Sequence, residues 1–336
     1  ADALTAVSVA SAGSTALAVS WAAPASIYNG GTISGYQLQY STTSTFATTS
    51  TLDTGSTATS ALITGLTANT NYYVRVLATG TSWQGAVSAP ASATTNSSAT
   101  TITVVATGGG AAGTDYTNTG GILSVKTGTS ANINASDIQS LLVNGDVVLG
   151  ADNVTVSSSV TWATSRNLTL GSSTAGTVSI NAGITGSGVS SGVRIRSTTY
   201  ALSVKAGGSI VLSGSTPSLT IGGTNYTLIK SESELSGIAT SGNFALAKPL
   251  NLTTAYTTAV ANINFTGTLD GLGNTVNRMN ISASAAGAYG LFANVSGSAN
   301  LRNVGVTNAM LKMAALSGAY TSGMLVGRMT AGTVTF

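Results

Sequence analysis

The chain has 336 residues, of which 43% are hydrophobic and only 6% are charged, and its net charge is +3. An ordinary soluble domain carries roughly 25% charged residues, so Ser, Thr and Asn side chains must hydrate much of this surface. Cys and His are absent, which excludes disulfides, thiol nucleophiles, Ser-His-Asp triads and zinc sites of the usual kind.

The twelve basic residues are spread thinly and never cluster with interleaved aromatic residues, so we expect no nucleic-acid binding. The sequence contains no run of about 18 apolar residues, so we also expect no membrane span. A high hydrophobic content with few charges is typical of a chain that folds rather than of a disordered one.

Residues 1–95 are predicted to form a β-sandwich. Short runs that alternate apolar and polar residues follow one another with turn residues between them. This period of two is the pattern of strands with one buried face. Five such runs in fewer than a hundred residues favour a sandwich. The runs cover residues 4–9, 15–21, 33–40, 60–66 and 71–80.

The aromatic residues of this segment carry a family resemblance. Trp21 and Tyr36, followed by LTANTNYYVRVLATG at 66–80, resemble a fibronectin type III domain. The resemblance implies that Trp21 is the core tryptophan and that Leu66 and Tyr72 form the tyrosine corner. We interpret the aromatic residues as core rather than as ligand platforms. The domain is then a spacer or a docking module.

Residues 96–101 are polar and lack periodicity, which predicts a linker. Beyond them, at 102–336, triplets of apolar, polar and apolar residues recur at nearly constant spacing. Such a spacing predicts a β-solenoid, in which each coil buries its apolar face against its neighbours. One series has steps of 24 residues (178−154, 202−178, 226−202). The triplets of the three series are VTV154, VSI178, LSV202 and YTL226; LTL168, VRI193 and LTI219; and MNI279, VGV304 and VTF334.

The later part of the solenoid, from about residue 226, is similar to the GLUG-repeat region of filamentous-haemagglutinin-like surface proteins. The Gly-Leu-x-Gly type motif is represented by GLF at 290–292 and by LVG at 325–327. The resemblance implies a right-handed parallel β-helix of a secreted bacterial surface protein. The predicted fold class is therefore all-β, a fibronectin type III sandwich followed by a right-handed parallel β-helix.

The nine acidic residues are weighed as candidates for chemistry. Asp270 precedes Gly271 in a preferred turn pair, in which the carboxylate bonds nearby amides and Gly adopts a positive φ. Ser231 and Glu234 match the Ser-x-x-Glu capping box and predict a short helix. Asp137, Asp146 and Asp152 form a weak calcium motif with too few ligands. We therefore predict no catalytic, cofactor-binding or metal-binding residues.

Two functions are compatible with this pattern. The first is an extracellular bacterial surface structural protein or adhesin that forms a head-to-tail filament or a rod-like fibre. The sequence stops at GTVTF in a strand pattern, and such an open end requires further coils or another subunit. Its partners would be further copies of itself and surface glycans.

The second function is a secreted polysaccharide-active lyase or glycosidase with an accessory sandwich module. A glycosidase needs two carboxylates about 5 to 9.5 Å apart. Residues from 240 onward contain Asp270 as their sole acid, so we prefer the first, non-enzymatic function. The candidates for interface contacts, because they lie in irregular or terminal segments, are Tyr256, Tyr289, Tyr320 and Phe336.

Overall fold

The computed structural model describes residues 1–25, 27, 31–126, 128–313, 319–330 and 333–335, the side chains of 262 and 333–335 excepted. The described chain is all-β with two short α-helices. It divides into two compact units. The first comprises Ala1–Ser158, Asn167–Ser179 and Arg194–Tyr200, and the second comprises Ser159–Arg166, Ile180–Val193 and Ala201–Phe336.

The first eight strands form an antiparallel β-sandwich. One sheet has the order β1-β2-β5, and the other has the order β4-β3-β6-β7 with β8 paired to β6. The strands are β1 (Thr5–Ser11), β2 (Ala16–Ala22), β3 (Gly35–Ser41), β4 (Ser50–Asp53), β5 (Ser60–Thr64), β6 (Asn71–Gly80), β7 (Trp83–Gln84) and β8 (Ala91–Thr94).

The sandwich core is built by the period-two alternation of its strands. Leu17, Val19 and Trp21 of β2 point to one side and join the core with residues of β3 and β6. The rings of Trp21 and Tyr36 meet edge to face with centroids 5.1 Å apart. The tyrosine corner is present as well, because the hydroxyl of Tyr72 accepts a hydrogen bond from the Thr67 amide.

Asn69 explains a departure from the pattern usual in this kind of sandwich. Its φ is +50°, in the left-handed region. Asn is one of the few residues other than Gly that visit this region readily, since its short polar side chain can bond locally. Asn69 therefore serves where the family often carries Gly.

The remaining elements are short strands with two α-helices and one 3₁₀ helix, Val204–Ala206. They are β9 (Thr101–Val105), β10 (Tyr116–Thr119), β11 (Ile122–Val125), β12 (Ser130–Asn134), α1 (Ala135–Leu142), β13 (Val147–Gly150), β14 (Asn153–Val156), β15 (Val160–Trp162), β16 (Asn167–Leu170), β17 (Val178–Ile180), β18 (Gly183–Gly186), β19 (Gly192–Ile195), β20 (Ala201–Leu202), β21 (Ser209–Leu212), β22 (Ser218–Ile221), β23 (Thr224–Asn225), β24 (Thr227–Ile229), α2 (Glu232–Ser236), β25 (Asn243–Leu246), β26 (Leu250–Asn251), β27 (Ala255–Tyr256), β28 (Ala261–Phe265), β29 (Thr268–Asp270), β30 (Thr275–Asn277), β31 (Asn280–Ala283), β32 (Gly287–Tyr289), β33 (Phe292–Val295), β34 (Asn300–Arg302), β35 (Gly305–Thr307), β36 (Met310–Met313), β37 (Tyr320–Ser322), β38 (Val326–Met329) and β39 (Thr333–Thr335).

Parallel ladders begin directly after the sandwich, within the first unit. Strand β9 lies between β12 and β14 and pairs with both in parallel. Strand β13 likewise pairs in parallel with β11 and β16. The helix α1 follows β12 without a break and packs against β12 and β13, burying Ala135, Ile138 and Leu142.

A second face of the sandwich packs against these ladders. Small side chains of β2, Ala16 and Ala18, point away from the sandwich core and cluster with Leu62 and Ile122. The Ser60 hydroxyl donates to the Gly120 carbonyl at 2.8 Å. Strand β2 is therefore buried on both faces, and its alanines let a second layer approach.

The carboxylate of Asp152 reinforces this joint. Asp152 is 6% exposed. It accepts hydrogen bonds from the amide and hydroxyl of Ser14 and from the amide and hydroxyl of Thr100. Thr100 belongs to the predicted linker 96–101, and Asn96 at its other end bonds to the Gly13 carbonyl and the Ser11 hydroxyl. Both ends of this segment are thus fixed to the sandwich or to the ladders.

The second unit consists mainly of parallel ladders of short strands. The orders are β15-β18-β21, β24-β25-β29-β34-β39, β26-β30-β35, β27-β31-β36, β28-β33-β38 and β32-β37. The pairing of Leu250 with Val276 and of Val276 with Val306 shows the period, 26 and then 30 residues (276−250, 306−276). The inward side chains share one core, centred on Phe265 and Phe292, whose rings stack at 4.7 Å.

The registers correct part of the predicted triplet series. MNI279 and VGV304 do not occupy one ladder, because β31 pairs with β36 whereas β35 pairs with β30. YTL226 forms β24, which pairs with β25. LSV202 gives only the two-residue strand β20, and Val204 begins the 3₁₀ helix. The fixed step of 24 or 25 residues fails here because later coils contain more corners and are longer.

Candidate functional site

The four predicted interface residues lie in different surroundings. Tyr289 is 3% exposed and belongs to the core, which corrects its proposed interface role. Tyr320 is 49% exposed on β37. Tyr256 is partly buried and packs against the core of the second unit. Phe336 lies outside the described residues.

An open cleft of about 430 Å³ lies beside Tyr256, where three successive coils turn a corner. Strands β26, β30 and β35 enter the corner, and β27, β31 and β36 leave it. The corner residues are therefore in register, and each coil contributes one segment to the wall. The lining residues are Leu252, Thr253, Thr254, Ala255, Arg278, Met279, Asn280, Asn308 and Met310.

The first segment of the wall is held by Glu232, at the start of α2. One oxygen of its carboxylate accepts from the amide and hydroxyl of Thr253. The other accepts from the Thr254 amide and from the Tyr256 hydroxyl, the latter at 2.8 Å. Four hydrogen bonds to one charged group fix residues 253–256 against the helix.

These contacts shift both pKa values. Desolvation acts to raise the pKa of Glu232, but the hydrogen bonds from Thr253, Tyr256 and Thr254 outweigh it and lower that pKa to about 2. Burial and the neighbouring Glu232 carboxylate raise the pKa of Tyr256 to about 12. Glu232 is therefore ionised and Tyr256 neutral over the whole physiological range.

The capping box predicted at Ser231 and Glu234 is confirmed. The Ser231 hydroxyl accepts from the Glu234 amide, and the Glu234 carboxylate accepts from the Ser231 amide. The motif explains the helix but gave no indication that Glu232, one residue into it, would reach a loop some twenty residues away. The signal that could have found this contact is the pair of adjacent threonines, Thr253 and Thr254, just before Tyr256.

The second and third segments contribute Arg278 and Asn308, which are equivalent residues on neighbouring coils. Both have positive φ, +63° and +46°. The Arg278 amide donates to the Thr307 carbonyl and so ties the two corners together. The Arg278 side chain is exposed, and within the described part of the chain its guanidinium has no acidic partner.

An asparagine ladder runs beside the cleft. The amide nitrogen of Asn277 donates to Asn251 on the preceding coil, and the oxygen of Asn277 accepts from Asn308 on the next. The Asn308 amide nitrogen is thereby committed, so its free carbonyl oxygen can face a ligand. The floor is apolar, since Leu252 and Met279 are buried and Met310 is half-exposed.

Asp270 has a complete set of partners at another corner. Its buried carboxylate forms an ion pair with Arg302 at 2.7 Å and accepts from the side-chain amide of Asn303. It also accepts from the Leu272 amide, as the turn interpretation predicted. The positive φ falls on Leu272 and Gly273 rather than on Gly271. Gly271 is needed instead because a Cβ there would lie 2.2 Å from the Asn303 carbonyl oxygen.

The aspartates considered for calcium are separated by their partners. Asp137 accepts from Tyr116 and Asn134, Asp146 accepts from Asn167, and Asp152 accepts from Ser14 and Thr100. Across the residues with described positions, no three acidic side chains gather in one place.

Arg194 and Arg196, interpreted from VRIRS as solvated charges, differ in the structure. Arg194 is exposed, but Arg196 is partly buried. Burial, and to a smaller extent the charge of Arg194, lowers the pKa of Arg196 to about 10. The alternation of the strand ends at Ile195, so the outward direction could not be extrapolated to residue 196.

Comparison with known proteins identifies the sandwich. The family model "Fibronectin type III domain" matches residues 2–94, so the N-terminal resemblance is confirmed. Domains of this family are common in extracellular and adhesion proteins. No curated protein matches the chain. In the described part of the chain, both α-helices are too short to cross a bilayer.

Solved structures resemble the same part of the chain. A structure described as "Myokine structure" is 20% identical with a TM-score of 0.24, over 28% of this chain and 97% of that one. The FN1-FN3 domains of chicken CNTN1 are 25% identical with a TM-score of 0.25, over 28% and 30%. The FN5 domain of Drosophila Lar is 24% identical with a TM-score of 0.24, over 28% and 95%.

Proposed function

We propose that this chain is an extracellular structural protein or adhesin of a bacterial surface. Its residues 102–336 would wind as a right-handed parallel β-helix, with GLUG-like repeats from about residue 226. It would associate with further copies of itself into a filament or rod-like fibre and would contact surface glycans. It would catalyse no reaction.

The observation that carries this proposal is the use of the acidic residues. Eight of them accept structural hydrogen bonds, either from the backbone or from a neighbouring side chain, and Asp2 also has a partner. The eight are Asp53, Asp115, Asp137, Asp146, Asp152, Glu232, Glu234 and Asp270. A glycosidase instead needs a pair of carboxylates facing a substrate across about 5 to 9.5 Å. The acids of this chain hold corners and joints.

The GLUG-like motifs support the helical winding. Segments 289–292 and 323–327 lie side by side, with the Leu291 amide bonded to the Met324 carbonyl and the Phe292 amide to the Leu325 carbonyl. A Cβ at Gly290 would lie 2.4 Å from the Gly323 carbonyl oxygen, and one at Gly327 would lie 2.4 Å from the Tyr289 amide. The motif's glycines allow one coil to approach the next.

Self-association is supported by the apolar surface of the last described coil. Met310, Tyr320, Met324 and Met329 are each 42–49% exposed. Met329 is in register with Val295, which is fully buried on the preceding coil. A second copy would cover these side chains. Because the β1-β2-β5 face of the sandwich already packs on its own ladders, the docking face would be the sheet β4-β3-β6-β7.

Negative-stain electron microscopy of the purified chain tests this proposal. We expect filaments or short rods from the unmodified chain and single particles from the double variant Tyr320→Asp with Met329→Asp. Val189→Asp, also at an exposed apolar side chain, is the matched control and should still assemble. Single particles from the unmodified chain at high concentration would argue against self-association.

The enzymatic alternative is tested separately with acidic and neutral polysaccharides. We expect no depolymerisation by the unmodified chain. Activity that disappears in Asp270→Asn, while the melting temperature is retained, would replace the structural proposal with a catalytic one.

A further inference from the structure

We propose that the corner cleft at residues 252–255, 278–280 and 308–310 binds a carboxylated saccharide, with Arg278 holding the carboxylate. This inference deepens the proposed function, because it rests on the glycan contact named there and gives it a place and a chemical class.

The charge of the cleft favours a carboxylate. The only charged side chain among its lining residues is Arg278, whose planar guanidinium can bond both oxygens of a carboxylate at once. The nearby carboxylate of Glu232 does not neutralise it, since both oxygens of Glu232 already accept from Thr253, Thr254 and Tyr256. One cation matches a singly charged ligand.

The neutral groups of the cleft favour a sugar as the carrier of that carboxylate. The Thr253 hydroxyl donates to Glu232, and the Asn308 amide donates to Asn277. With these protons committed, the two side chains present acceptor oxygens. Asn280 lines the cleft too, and its side-chain oxygen has no donor among the described residues. Sugar hydroxyls supply the missing donors, which inorganic anions do not.

The apolar floor fits the same ligand. Leu252 and Met279 are buried beneath the cleft, and Met310 is half-exposed beside it. A sugar ring presents a face of C–H groups as well as hydroxyls, so it can lie on such a floor. The volume of about 430 Å³ falls within the range of about 300–1,000 Å³ typical of small-molecule sites.

The backbone at Arg278 shows that stability does not require an arginine there. Its φ of +63° is unfavourable for a long side chain, whereas the equivalent residue of the next coil is Asn308. Asn tolerates this conformation better than Arg does. A residue held in an unfavourable backbone conformation at the mouth of a cleft is a reasonable sign of binding.

The test is isothermal titration calorimetry on the full chain. The probes are trigalacturonic acid, its methyl ester, 3′-sialyllactose, lactose and inorganic phosphate. We expect at least one of the two acidic saccharides to bind, the methyl ester and lactose to bind at least ten-fold more weakly, and phosphate not to bind. Arg278→Asn should weaken binding roughly ten- to a hundred-fold, and Arg278→Lys less. Arg328→Asn, at an exposed arginine outside the cleft, should bind as the unmodified chain does.

Because Arg278→Asn places the locally preferred residue, its melting temperature should equal or exceed that of the unmodified chain. Equal binding by neutral and acidic saccharides, binding of phosphate alone, no binding by the folded chain, or equal binding by Arg278→Asn and Arg328→Asn would each overturn the assignment. Filaments without saccharide binding would remove only this assignment. Saccharide binding without filaments would remove only the self-association.

Discussion

The hydroxyl of Tyr256 donates to the carboxylate of Glu232 at 2.8 Å, across 24 residues of sequence. The same carboxylate binds the two residues that begin the wall of the cleft, Thr253 and Thr254. A short helix of five residues thus positions a loop that belongs to a different corner of the fold. Tyr256, first considered as an interface residue, acts in the structure as part of this support.

Glu232→Gln should destabilise the second unit by about 1 kcal/mol, because the loop loses a charged acceptor that is only partly shielded from solvent. Glu234→Gln is the matched control, since Gln is also accepted at that position of a capping box. Urea unfolding curves of the two variants give the comparison. Equal stabilities would show that Glu232 does not hold the loop.

The effect of Glu232 should depend on pH. Its pKa in the folded chain is about 2, below its ordinary value of 4.5, so its contribution to stability is complete above the ordinary value. The contribution is lost as the pH falls from there through about 2. The difference in melting temperature between the unmodified chain and Glu232→Gln should shrink over this window. A constant difference down to the lowest pH would contradict the assignment.

Asp152→Asn should destabilise the first unit by about 3 kcal/mol, because a buried charged acceptor is lost and a new amide faces the donors of Ser14 and Thr100. Asp146→Asn makes the same chemical change at an exposed aspartate that binds only Asn167, and it should cost less than about 1 kcal/mol. Chemical denaturation followed by tryptophan fluorescence measures both. Similar losses in the two variants would show that the Asp152 contacts contribute little.

Gly290→Ala should cost more than about 2 kcal/mol, since the added Cβ would collide with the backbone of the next coil and force the two apart. Gly145→Ala adds the same atom where nothing lies within 4 Å and where φ is not positive. This control should leave the melting temperature nearly unchanged. A folded, equally stable Gly290→Ala chain would refute the close approach of residues 289–292 and 323–327.

Arg302→Met should cost roughly 3–5 kcal/mol, because it leaves the buried carboxylate of Asp270 without its ion-pair partner. Adding Asp270→Asn to Arg302→Met should recover part of this loss, since the variant then buries no unpaired charge. The recovery is measured as a coupling free energy in a double-mutant cycle. Strictly additive effects would indicate that the pair contributes no mutual stabilisation.

Much of the sandwich could be predicted from the sequence, because its information is local. The alternation in 15–21 and 71–80 marked strands, and Trp21 with Tyr72 marked the core and the corner. What the pattern did not show is that β2 is buried on both faces. The signal was there in its alanines, Ala16 and Ala18, which are apolar yet too small to build a core and suit a second packed layer.

The ladders of the later chain were predictable in kind but not in register. Triplet spacing assumes coils of constant length, and the chain departs from this after residue 226. Asn280 and Met310 are partners at a distance of 30 residues, whereas VGV304 pairs with the strand before Asn280. The cleft could not be predicted for the same reason. Residues 252, 278 and 308 share a corner only when the register is known.

The bonds of Asp152 have a practical consequence for anyone who treats the N-terminal module as an interchangeable part. Replacing it with another fibronectin type III domain would uncover Ile122 and leave the carboxylate without the amide and hydroxyl of Ser14. A working graft would need to carry over the serine and the small-residue face of β2 together. Exchange at residue 96 would therefore be surgery on a continuous body rather than the swapping of a bead on a string.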